Sequence, residues 1–94
     1  MNQLQAERLQ VKYILIDRGI CTNPYSPSAK DTLACIILNQ MTAQGLKRDH
    51  LERQLRSYGA GVSRLWVHLN DLEVIGVIVQ DNDRIYYSPD LLKN

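Results

Sequence analysis

Five basic side chains, Lys47, Arg48, Arg53, Arg56 and Arg64, lie between positions 47 and 68 against two acids, Asp49 and Glu52, a local net charge of +3. The flanks do not share this excess. Residues 1–46 carry +1 and residues 69–94 carry −3, so the whole chain has a formal net charge of only +1. Cations gathered in this way attract phosphates even on a nearly neutral protein. They can equally form an ordinary solvated helix face. Other chemistries lack their residues. There is no GxSxG, no P-loop and no HExxH, so no motif for nucleophilic, nucleotide or metalloprotease chemistry. His50 and His68 have no further ligands at a spacing that would complete a metal site. Cys21 and Cys35 do not form a CxxC. Reduced, buried thiols are expected, with a single disulfide as the alternative in an oxidising compartment. No enzymatic activity and no cofactor is expected.

One small domain spanning 1–94 must hold these cations. The chain has 94 residues, 45% hydrophobic and 22% charged, an ordinary globular composition with enough apolar material for one modest core. It has no apolar run of about 18 residues, and MNQLQAERLQ does not read as a secretory signal, so a cytoplasmic protein with no membrane association is expected. Apolar spacing predicts a first helix over 3–18, within an N-terminal unit 1–20. Leu4, Leu9 (or Arg8 in its place), Val11, Ile14 and Leu15 recur near helical spacing, and Gly19 would close the helix. ICTNPYSPS, 20–28, reads as a loop. Ser28 would cap a second helix through AKDTLACIILNQMTAQ, with Leu33, Ile36, Ile37 and Met41 on one face and Gly45 at its end.

A third helix is predicted from Lys47 to Ser57. Leu51 and Leu55 would point inward, and Arg48, Glu52, Arg53 and Arg56 outward. After the tight turn YGAG, a fourth helix should start at Val62 or Ser63 and end at Ile75. Its apolar stripe would be Val62, Leu65, Trp66, Leu69 and Leu72, with Gly76 just past the end. Val77 to Val79 and Ile85 to Tyr87 then change the period to two, around the turn cluster Asp81-Asn82-Asp83. The fold class is therefore mainly α with a small β-hairpin (α+β). The core spans 28–88 behind an extra N-terminal helix.

The order helix, short helix, tight turn, helix, hairpin carries a resemblance. With Leu51, Leu55, Gly61-Val62-Ser63-Arg64, Leu69, Leu72-Glu73 and Gly76-Val77-Ile78, the chain resembles the winged helix-turn-helix domains of small prokaryotic regulators of the MarR and ArsR type. It shares their L-x-x-L-E-x-x-G-[LV]-[IV] ending. SYGAGVSR is more loosely similar to small winged helix proteins of Mu-like prophages. The resemblance covers residues 29–88, about two-thirds of the chain. It implies a DNA-binding protein, a small transcriptional regulator of bacterial or phage and mobile-element origin. Helix 62–75 would enter the major groove of double-stranded DNA. A homodimer is implied because one such helix reads only a few base pairs; the first helix is a natural dimerisation element, or else it caps the three-helix core.

The same resemblance assigns roles. Ser63, Arg64, Val67, His68 and Asn70 lie off the apolar stripe of helix 62–75. Arginine can bond both guanine acceptors in the major groove, and asparagine can do the same with adenine. Ser63 would either cap the helix or touch a phosphate. Lys47, Arg48, Arg53 and Arg56 would flank the groove as phosphate contacts, and Arg84 on the wing would meet phosphate or minor groove. Trp66 is expected in the core, because a large aromatic at helical spacing usually packs there. Asp81 and Asp83 make this wing acidic. The alternative is a non-enzymatic winged helix protein–protein interaction module, which would meet an acidic partner through the basic helix. An exposed apolar patch would be its mark.

Overall fold

A computed structural model of the chain describes residues 2–21 and 32–93. In chain order it contains α1 (Gln3–Asp17), α2 (Thr32–Gln40), β1 (Leu46–Lys47), α3 (Arg48–Ser57), α4 (Leu65–Val74), β2 (Ile78–Asp81) and β3 (Arg84–Tyr87). The expected α+β class with a small hairpin is observed. The loop read over 20–28 and the Ser28 cap fall, beyond Cys21, outside the described residues. No helix among those described is long and apolar enough to cross a membrane.

The helices start and stop for local reasons. Asn2 caps α1 in a capping box: its side chain accepts from Gln5 N at 2.8 Å, and Gln5 Oε1 accepts from Asn2 N at 3.1 Å. At the end of α4, Gly76 has φ +87°, its N–H bonds Glu73 O, and Val77 N–H bonds Leu72 O. These two bonds are the Schellman closure, which requires a left-handed residue. The same bond pair ends α1 at Gly19 and α3 at Gly59. Helix α2 ends differently, and earlier than its sequence suggests. After Gln40 the chain turns through Thr42, whose Oγ1 donates to Gly45 O at 2.8 Å. Side chains from other elements take carbonyls at this end of α2. Arg8 Nη2 of α1 donates to Met41 O at 2.8 Å, and Tyr87 Oη of β3 donates to Ile37 O at 3.0 Å.

Two expectations about α4 need correction. The helix begins at Leu65, not at Val62 or Ser63. Ser63 and Arg64 sit in a turn, and the N-cap position is Arg64, with no side-chain cap bond. Trp66 is not core: it is 61% exposed. The buried side chains of α4 are Leu65, Leu69 and Leu72, spaced four and three. Adjacent residues diverge by about 100° around a helix. Leu65 and Trp66 therefore cannot both sit at the centre of the inward face, and the leucine that continues the 65–69–72 row takes it.

The sheet contains a strand that the sequence does not announce. Beside the hairpin lies β1, giving a three-stranded antiparallel sheet in the order β1-β3-β2. Leu46 pairs with Ile85 and Lys47 with Arg84, while Ile78 pairs with Tyr87 and Gln80 with Ile85. The hairpin turns at Asn82, whose φ is +54°. Val77, read as a strand residue, lies just before β2 yet is fully buried. Leu46, Ile78, Ile85 and Tyr87 form the inner face of the sheet and close one core with Leu15, Ile37, Leu51 and Leu69 from the four helices. Of the two alternatives at helical spacing, Leu9 is exposed and Arg8 is the half-buried one. Cys21 and Cys35 are buried thiols that form no disulfide, with sulfurs 3.9 Å apart.

Candidate nucleic-acid interface

Helix α3 is anchored through Leu51 and Leu55, both buried. That orientation leaves Arg53 and Arg56 on its solvent side, and both are exposed. Lys47, on β1 immediately before α3, is exposed as well, and so is Arg64 at the start of α4. None of these four cations makes an ion pair or a side-chain hydrogen bond among the described residues. An ion pair, Lys93 to Asp90, lies at the far C-terminal end, away from these cations.

Arg48, expected to face outward, is turned in. Its side chain is half-buried and Nη2 donates to Gln80 Oε1, while Arg48 N donates to Asp83 O at 2.7 Å. Gln80 is the hub of this corner. Its Nε2 donates to Asn70 Oδ1 at 2.8 Å, and its backbone N donates to Glu73 Oε1 at 2.8 Å. One amide on the inner side of the hairpin thus ties the start of α3 to the middle of α4. Arg48 and Asn70 are positioning residues in this geometry. Arg84 is half-buried and reaches back, donating from Nη1 to Gln44 O at 3.1 Å. Sequence reading missed Gln80, because nothing local marks a strand glutamine as the partner of residues 10 and 32 positions away.

The outer side of α4 differs from expectation. Val67 is half-buried, and Ser63 and His68 are exposed. His68 and Asp71 turn toward a cavity of about 480 Å³ between α2, the α3–α4 turn and α4, whose walls include Leu33, Leu55 and Leu72. Trp66, Asn70 and Val74 follow one another at four-residue intervals along the outside, with Trp66 61% and Val74 85% exposed. A row of four-residue steps stays on one helix face. The outside of α4 is therefore an apolar strip with one amide, and Arg64 stands at its N-terminal end. The acids of α4 lie off this strip: Glu73 is held by the hairpin and Asp71 borders the cavity. Asp81 and Asp83 are exposed at the hairpin tip.

Removing the hub should be measurable. Gln80→Ala leaves a half-buried guanidinium without its acceptor, when Arg48 Nε already lacks one. A charged hydrogen bond contributes about 1.5–3 kcal/mol, so a loss of about 2 kcal/mol in urea denaturation is expected, with Asn70→Ala costing less.

Among the described residues no three His, Cys, Asp or Glu side chains cluster as metal ligands. Comparison of the chain with protein-family models, with curated proteins and with solved structures finds no match.

Proposed function

We propose that this chain is a winged helix DNA-binding protein, acting as a small transcriptional regulator, with α4 as the helix that enters the major groove. The element order α2, β1, α3, α4, β2, β3, with β1 paired on the far side of β3, supports the winged helix assignment. The observation that carries the functional reading is the set Lys47, Arg53, Arg56 and Arg64: exposed, without an ion-pair partner among the described residues, and confined to the strand, helix and turn that lead into α4. Phosphate contacts from such residues set affinity and orientation, and base edges are then read from the groove-facing helix. Trp66, Val67 and Val74 would supply apolar contact there, of the kind made with thymine methyl groups. The wing contributes less, because Arg84 is engaged with Gln44 and the tip carries Asp81 and Asp83.

Fluorescence anisotropy on mixed-sequence duplex DNA over a salt series tests this reading. Arg53→Ala/Arg56→Ala removes two phosphate contacts, so the slope of log affinity against log salt is expected to flatten by roughly two. An unchanged slope would remove α3 from the interface.

A second reading has its own observation. The exposed strip of Trp66 and Val74 is also what a protein-binding surface would present. Under that reading duplex DNA fails to bind at low salt, and Trp66→Ala abolishes capture of a partner.

A further inference from the structure

We infer that Asn70 presents a hydrogen-bond donor, rather than the paired donor and acceptor that read adenine, and that the outer strip of α4 therefore selects thymine. This rests on the reading that α4 enters the major groove, and it concerns the base met there. Arg48 sets the orientation. A guanidinium carries donors and no acceptor. Arg48 Nη2 lies 2.6 Å from the Gln80 side chain, so the atom it meets must be the oxygen, Oε1. That choice fixes the other end of the Gln80 amide. Nε2 then faces Asn70 at 2.8 Å, and a donor in that place must meet the Asn70 oxygen, Oδ1. The Asn70 nitrogen, Nδ2, is left without a hydrogen bond among the described residues. Turning an amide end for end exchanges donor for acceptor. Here a cation two contacts away forbids the exchange. Arg48 is half-buried, and its backbone N is tied to Asp83 O at 2.7 Å.

The neighbours of Nδ2 select the base. Trp66 and Val74 lie one turn before and after Asn70, about 6 Å along the helix axis. Both are exposed, as is Asn70 itself. A row of apolar group, donor and apolar group fits a base edge that offers an acceptor beside a methyl. Thymine has both, O4 and the C5 methyl. Guanine has acceptors without a methyl, and cytosine presents a donor. Adenine is read by an amide that accepts from N6 while it donates to N7. With Oδ1 engaged by Gln80 on the hairpin side, that pair is broken.

Selection of binding sites from a pool of randomised duplexes tests the base choice. Thymine should be enriched within the selected site. Replacing a contacted thymidine by deoxyuridine removes only the methyl and should weaken binding about fourfold. Gln80→Glu tests the control by Arg48. A glutamate offers acceptors alone. It keeps Arg48 paired but can only accept from Asn70, so the Asn70 amide must turn and show Oδ1 to the groove. This variant should exchange a selected thymine for a base with a donor on that edge, adenine or cytosine. Deoxyuridine without effect at every selected thymine, or Gln80→Glu selecting the same site as the native chain, overturns the base choice. The deoxyuridine arm needs no variant, so it decides even where Gln80→Glu fails to fold. Duplex bound with no sequence enriched also overturns the base choice, and leaves α4 in the groove. No binding at low salt overturns the groove reading itself, and the base choice with it.

Discussion

Gly45→Ala should destabilise the protein by about 3 kcal/mol, more than any other single-methyl addition at a described glycine, by combining backbone strain with overpacking. Gly45 is buried between α2 and β1 with φ +83°. A Cβ there would lie 2.7 Å from Tyr86 Cε1 and 2.8 Å from Ile85 O. The tyrosine ring can shift, but the carbonyl belongs to β3 and cannot move without opening the Leu46–Ile85 pairing. Gly59→Ala is the control. Gly59 also has positive φ, +77°, yet its Cβ would meet nothing within 4 Å. It should show only the conformational penalty, about 1 kcal/mol. Urea denaturation of both variants separates the two effects, and equal losses would mean that β1 is not packed as described. Because β1 carries Lys47 and leads into α3, Gly45→Ala should also weaken the DNA binding proposed for this chain.

Tyr87 should make stability fall steeply in alkali. Burial pushes its hydroxyl from 10.0 up to about 12, and the nearby Arg8 opposes that rise only in part. Between these two values the unfolded chain releases a proton that the folded chain keeps. Stability is therefore intact below pH about 10 and is lost progressively up to about pH 12. Two pKa units correspond to about 3 kcal/mol. Tyr87→Phe should lack this step, so the step appears in the difference between the wild-type and variant pH curves. At neutral pH it should cost about 1 kcal/mol, because the Ile37 carbonyl loses its Tyr87 donor. A wild-type curve parallel to that of Tyr87→Phe between pH 10 and 12 would contradict the burial of the hydroxyl.

Much of the chain was legible where local signals were strong. The glycines at 19 and 76 end helices as read, Leu51 and Leu55 orient α3, and the turn at Asn82 joins two strands. Strand β1 was not legible, because two residues cannot display a period. Trp66 was misread because aromatic size outweighed its adjacency to Leu65. The cation cluster could be read from composition, and four of its five members are exposed. The fifth, Arg48, is turned inward by Gln80, a partner 32 residues away that no spacing rule anticipates. Leu9 shows a similar limit. Apolar spacing says that a residue belongs to some face, and a helix with two apolar faces leaves open which of them meets its own core.

Trp66 offers the most direct test of α4 as the groove-entering helix. It is the one tryptophan of the chain and it lies on the outer side of α4, so its fluorescence reports on that surface alone. Mixed-sequence duplex DNA is titrated at low salt while acrylamide quenching of Trp66 is followed. Entry into a groove predicts that quenching falls as duplex is added, with a midpoint that moves to higher DNA concentration as salt rises. Quenching that remains unchanged at the highest duplex concentration would contradict the placement of α4 in DNA and would leave its apolar strip to a protein partner.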